Sequence, residues 1–231
     1  MKKTLLAFAV VFSFLVAWPA QAHQPRLVPG GALTIKVENP ETSQAFYSEL
    51  VGQIQVYEIN SDKDFLLYVN LLVPKTPQAK TDFWAVILKD EPGQAQWLGE
   101  LDGTKFNWQE FYEKFTGDNY LKGPEFEKEV AAGKYFVRVL SFNSNQGKYV
   151  LAVGKEEKFT LKEILNTIKL LPTLKKDFFG KSPLTAYFNL TGLFLLGCLV
   201  VLAGIIFGLW LVLRKKKTKT DEENASLPPT P

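Results

Sequence analysis

From Leu33 to Val153, apolar and polar residues alternate in short runs separated by Pro, Gly, Asn and Asp. A period of two belongs to strands, because successive side chains point to opposite faces. Leu33–Val37 reads this way and ends at Asn39-Pro40. Gln44–Leu50 and Gln53–Asn60 follow as a β-type pair with Gly52 between them. Phe65–Val73 is apolar on both faces, as a central strand covered on each side would be, and Pro74 and Pro77 close it. Phe83–Lys89 and Gln94–Leu101 read as a hairpin around Glu91-Pro92-Gly93. Lys134–Leu140 and Lys148–Val153 read as another, with Tyr135, Val137 and Val139 set to pair with Tyr149, Leu151 and Val153.

Elsewhere the period changes. Trp108, Phe111, Tyr112 and Phe115 are spaced i, i+3, i+4, i+7, which predicts a short helix over Asn107–Gly117. Asn107 would cap it, with Glu110 completing a capping box, and Gly117 would stop it. The residues from there to Gly133 read as a loop. Leu161, Ile164, Leu165 and Ile168 predict a second helix, interrupted by Pro172. Leu190–Leu213 contains no charged residue. As a helix it would reach roughly 36 Å, more than a ~30 Å hydrocarbon core.

About eight short strands and two short helices predict a mainly β fold, an antiparallel β-sandwich of jelly-roll type, followed by one C-terminal transmembrane helix. Ahead of it, Lys2 and Lys3, the apolar run Leu5–Trp18 and the exit Ala20-Gln21-Ala22 have the order of a secretory signal peptide. The expected organisation is therefore a signal peptide over 1–22, an exported sandwich over 23–159 and a juxtamembrane amphipathic segment over 160–189. The span over 190–213 and a basic, disordered tail over 214–231 complete it.

Charge then sets the topology. Arg214, Lys215, Lys216 and Lys217 follow the span directly, which places the C-terminus in the cytoplasm and the sandwich outside a bacterial inner membrane, periplasmic or at the cell surface. The net charge of +3 comes from the two ends, since His23–Thr185 holds 20 basic and 21 acidic residues. Basicity thus gives no reason to expect a nucleic-acid partner. The single Cys, Cys198, lies within the span, so the sandwich has neither a disulfide nor thiolate chemistry.

The stretch AAGKYFVRVLSFNSNQGKYVLAVG resembles the closing hairpin of pre-peptidase C-terminal jelly-roll domains, through Gly133, Tyr135, Val137, Gly147, Tyr149 and Leu151. That resemblance implies a non-catalytic accessory module of secreted proteins. The whole arrangement, with ENPETSQAFY, GDNYLKGPEF and GKYVLAVG, is also similar to a group of uncharacterised bacterial single-span membrane proteins with an exported β-rich domain.

Candidate chemistry is sparse. His23, the only histidine, would become the first residue after cleavage and offer an amine and a ring nitrogen to copper. No second histidine completes such a site. The aromatic stripe Trp108, Phe111, Tyr112, with Tyr120 beside it, is either a platform for sugar rings or the face that packs on the sheet. Asp62, Asp64, Asp102 and Asp118 have no EF-hand spacing and read as solvated turn acids. Gly204-x-x-x-Gly208, with Gly197 on nearly the same face, would let two spans approach closely and form a homo-oligomer. These readings exclude a hydrolytic triad built without His23 and call for no cofactor. The expectation is a non-catalytic, membrane-anchored binding module for another envelope protein or polymer, with carbohydrate binding at Trp108 and copper binding at His23 as alternatives.

Overall fold

The computed structural model describes residues 23–158 and 160–225, with side chains as far as Arg214. The expected signal peptide and residues 226–231 lie outside the described residues. The described chain falls into two compact units, one ending at Leu190 and one starting at Thr191.

The first unit is a sandwich of two sheets. The six-stranded sheet runs β1 (Gln24–Leu27), β3 (Gln44–Val51), β11 (Gln146–Val153), β5 (Phe65–Pro74), β9 (Asp118–Val130), β8 (Gln109–Glu113). The five-stranded sheet runs β2 (Thr34–Val37), β4 (Gln55–Ser61), β10 (Gly133–Ser141), β6 (Phe83–Glu91), β7 (Gln94–Asp102). Without β1, β2 and β8, the orders β3-β11-β5-β9 and β4-β10-β6-β7 are the wiring of a jelly roll. The eight strands of the jelly roll are antiparallel to their neighbours. β1 and β2 add to β3 and β4 in parallel.

This wiring corrects two expected pairings. β10 pairs with β4 and β6, whereas β11 pairs with β3 and β5. The two are therefore no hairpin, and their connection passes from one sheet to the other. Tyr135, Val137 and Val139 are buried opposite Tyr149, Leu151 and Val153 in one core. The same holds for β3 and β4. Alternation tells which side chains point inward, but it does not tell which sheet a strand joins.

Two element types also differ. The expected helix over Asn107–Gly117 is instead β8 and a turn, with Gln109–Glu113 laddered to Asp118–Lys122. An isolated helix of this length is marginal, and the sheet edge offers every backbone group a partner. The Glu113 carboxylate accepts from the Phe115 and Thr116 amides at 2.9 and 2.7 Å, which fixes the turn, and Gly117 closes it at φ +69°. The expected loop after Gly117 is β9, the longest strand. Its Gly123-Pro124 step is absorbed at a bulge opposite Asn70 and Leu72, where the buried Asn70 amide donates to both freed carbonyls at 3.1 and 3.0 Å.

α1 (Leu161–Asp177) begins at Thr160, whose hydroxyl accepts from the Glu163 amide, and runs through Pro172 without ending there. The carbonyl of Ile168, left without its helical donor by Pro172, lies 3.5 Å from the Tyr187 hydroxyl, a long contact. Leu170, Leu174, Phe178 and Phe179 pack onto Ala45, Tyr47, Leu72, Tyr120, Val150 and Ala152, so α1 and the segment after it cover the outer face of the six-stranded sheet. A 3-10 turn over Pro183–Tyr187 leads on to α2 (Leu190–Ala225). The stretch Leu190–Arg214 has a mean hydropathy of 2.7 and is long and apolar enough to cross a membrane. The helix continues through the basic cluster to Ala225, within the tail over 214–231 expected to be disordered.

Candidate interaction surface

In a jelly roll, each sheet has an inner face in the core and an outer face that must be covered, polar or used. The six-stranded sheet is covered by α1. The five-stranded sheet is different. Along β6 the burial alternates, with Phe83, Ala85 and Ile87 inward and Trp84, Val86 and Leu88 outward and only half-buried. On β10, Tyr135, Val137 and Val139 point inward and Phe136, Arg138 and Leu140 outward.

The register arranges these outward residues in rows across the sheet. One row reads Lys36, Glu58, Phe136, Leu88, Trp97, and Trp97 is 60% exposed. The next reads Thr34, Val56, Arg138, Val86, Glu100. A third holds Leu140, Trp84 and Asp102. A bulge between Ile87 and Leu88 lets β7 turn Trp97 and Glu100 outward while Gly99 faces the Phe126 ring inside. Beyond the third row, Phe142 stacks on Trp84 with ring centroids 5.2 Å apart and is itself 54% exposed. The Trp84 indole nitrogen is buried with no partner. Apolar rings thus cross the sheet with charges beside them, and among the described residues nothing in this unit covers them as α1 covers the other sheet.

The sequence missed this surface because its apolar residues come from the β6–β7 hairpin and from β10, much later in the chain. The signal available was the outward set of β6 itself, Trp84, Val86 and Leu88, in a strand whose inward set is already apolar.

The aromatic stripe named from the sequence is divided by the strand. Trp108 lies in a slot between Gly103 and Gly123, its indole N–H donating to the Gly103 carbonyl at 2.8 Å, and it packs on the core. A Cβ on Gly123 would lie 2.6 Å from the Trp108 ring and 2.9 Å from the Leu71 carbonyl. Gly123→Ala is therefore expected to displace Trp108 and cost about 1–3 kcal/mol, read as a lowered denaturation midpoint at unchanged secondary structure. Tyr120 is buried under Phe179, and its hydroxyl meets that of Tyr47 at 2.6 Å. Phe111 and Tyr112 stay exposed on the edge strand β8.

His23 sits just before β1. Its Nδ1, the nitrogen that would close a chelate ring with its own amine, lies 2.5 Å from the Ser43 hydroxyl. Burial, and secondarily Lys122, pulls its pKa down to about 4. No group of three or more His, Cys, Asp or Glu among the described residues is placed to hold a metal ion. Asp118 corrects the expectation of a solvated turn acid. It is buried, with Lys175 Nζ 2.6 Å from one oxygen and Lys181 Nζ 2.9 Å from the other. In α2, Gly197, Gly204 and Gly208 lie within the apolar stretch, and a Cβ on Gly208 would meet open space. Arg214 lies over the Trp210 ring. Lys215, Lys216 and Lys217 are helical, with side chains outside the described set.

A groove of about 530 Å³ opens between β1, β2 and the start of α1. Two of its polar contacts tie the fold together. Arg26 is 2.8 Å from Glu163, tying β1 to α1, and the Gln44 amide donates to the Glu38 carbonyl at 2.8 Å.

No family model matches the chain, and no curated protein sequence matches it. Among solved structures, the chain is similar to the pre-peptidase C-terminal domain of a collagenase from Bacillus anthracis. Identity is 15% over 54% of this chain and 95% of that domain, with a TM-score of 0.33. A β-glucosidase from Paenibacillus barengoltzii is matched at 10% identity over 57% of this chain and 13% of the enzyme, with a TM-score of 0.24.

Proposed function

We propose that this protein is a non-catalytic interaction module, anchored in a bacterial inner membrane by α2 with the sandwich outside the cytoplasm, and that it binds through the outer face of its five-stranded sheet. One observation carries the reading: of two apolar outer faces, one is covered by α1 and the other, with Trp84, Leu88, Trp97 and Phe136, is left open. Tryptophan, phenylalanine and a central arginine are the residues that dominate protein–protein contacts, so a protein surface suits this face better than a polymer. The arrangement Leu190–Arg214 followed by Lys215, Lys216 and Lys217 supports the orientation.

A thiol-protection experiment tests it. In a Cys198→Ser background, Leu88→Cys is expected to react with an impermeant maleimide at least about tenfold more slowly than Asp62→Cys, a turn control, in native membranes. Equal rates at the two positions would sink the binding face. Failure of both to react from the outside would sink the orientation.

A further inference from the structure

Resting on that reading, we propose that the occupant of the open sheet face is a second copy of the same chain. Arg138 and Glu100 stand in one row, each one strand away from Val86, on opposite sides of β6. At about 4.8 Å per strand they are roughly 9–10 Å apart, too far to pair with each other. Neither is in an ion pair or a hydrogen bond among the described residues. The Lys105 charge acts on Glu100, but that lysine is bound to Asp102 at 2.8 Å.

A two-fold axis lying along β6 makes sense of the arrangement. Turning a second copy over about that axis exchanges the two flanking strands and keeps each row in place. Arg138 then lies over the second copy's Glu100, and Glu100 over its Arg138, so the pair forms twice and each charge gains one partner. Phe136 lies over Trp97 in the same reciprocal way. On the axis, Trp84, Val86 and Leu88 meet their own counterparts, and these apolar side chains can face themselves without cost. A self-complementary patch in which i contacts j and j contacts i is what a two-fold dimer requires. An axis along β10 would set Arg138 against itself. Of these two axes, only the one along β6 sets β10 over β7 and so brings Arg138 to Glu100. Sheets packed face to face lie about 10 Å apart with their strands within about 30°, so the register holds near the axis and loosens at the corners. Anchoring both copies in one bilayer raises their effective concentration, which lets a face of this modest size suffice.

Charge reversal on the full chain tests this. Two differently tagged copies are expressed together in membranes, in a Gly204→Ile, Gly208→Ile background so that the spans contribute no contact of their own, and co-purification is measured. Arg138→Glu in both copies, or Glu100→Arg in both, is expected to lower co-purification by about tenfold or more, since like charges then face each other. Arg138→Glu in one copy with Glu100→Arg in the other restores both pairs and should return co-purification to within about twofold of the parent. Both positions are on the outer face, and unchanged thermal denaturation of each variant checks that folding is intact. Parent-level pairing of either single variant, or no recovery in the mixed combination, would overturn the second copy as occupant. If copies fail to associate while Leu88→Cys remains protected in native membranes, the face binds another protein or a polymer, and only this inference falls. If Leu88→Cys is unprotected as well, the proposed binding face falls with it.

Discussion

Asp118→Asn is expected to lower the stability of the β-rich unit by about 3–5 kcal/mol, the loss typical when one partner of a buried ion pair is removed. Asp118 carries two lysines. Lys175 is 1% exposed, and Lys181 reaches the same carboxylate from a half-exposed position. Lys175 also donates to the Thr116 carbonyl, which Asn189 approaches at 2.7 Å. Burial pulls the Lys175 pKa below its ordinary value even with Asp118 beside it, so this ammonium is costly where it stands. Asn keeps the shape and one acceptor oxygen but removes the negative charge, leaving a buried cation without compensation. The cluster joins the β8–β9 turn to the end of α1 and to the residues just before α2, so its loss should release α1 first. Urea unfolding of the full chain in mild detergent measures the loss, and trypsin cleavage after Lys175 and Lys176 reports the local opening. Lys175→Met should cost less than Asp118→Asn, because Lys181 still faces the Asp118 carboxylate at 2.9 Å and Asn189 still serves Thr116. The double change Asp118→Asn, Lys175→Met should then recover most of the lost stability. If the single Asp118→Asn change costs under about 1 kcal/mol, the cluster is not holding α1.

A second large effect is expected inside the sandwich. Gln55 is 2% exposed, and its side-chain oxygen accepts from Ser48 at 2.7 Å and from Tyr149 at 2.6 Å. Its amide donates to the Ala32 carbonyl at 2.9 Å, and the Tyr149 hydroxyl is also 2.9 Å from that of Tyr57. This chain of hydrogen bonds links β3 and β11 of one sheet to β4 of the other and to the loop after β1. Gln55→Leu conserves volume but strands two buried hydroxyls and a carbonyl at once. Each orphaned group costs about 1–3 kcal/mol, so a loss of about 2–4 kcal/mol is expected after partial rearrangement of the two tyrosines. Chemical denaturation followed by tryptophan fluorescence measures it. Adding Tyr149→Phe removes one of the orphans, so the pair of changes should cost clearly less than the sum of the single ones. Strict additivity would mean that the groups do not act as a network.

Several of these residues were visible in the sequence only as strand positions. The alternation sets Tyr57 with Ile59 on one face of its strand and Tyr149 with Leu151 and Val153 on one face of another, but nothing local says that Tyr57 and Tyr149 meet across a sandwich. Asp118 followed a glycine in a stretch rich in turn residues, and that local context pointed to solvent. Its true surroundings come from Lys175 and Lys181, about sixty residues later. Trp108, Phe111 and Tyr112 had helical spacing, yet that spacing was incidental to a strand whose backbone is claimed by β9. A sugar platform built from that stripe loses Trp108 to the slot between Gly103 and Gly123.

The sequence by itself determined the class of the fold, the inward sets of most strands and the long apolar helix of Leu190–Arg214. These follow from periodicity and hydrophobicity, which act within a few residues and are written locally. Tertiary structure alone decided that β10 and β11 belong to different sheets, that Asp118 is buried between two lysines, and that one outer face is covered while the other stands open. Those outcomes depend on strand pairing and on where α1 docks, and both are set by contacts between residues far apart in the chain. The open face of the five-stranded sheet, with Arg138 and Glu100 flanking Val86, could be recognised only once β10 had been laid beside the distant β6–β7 hairpin.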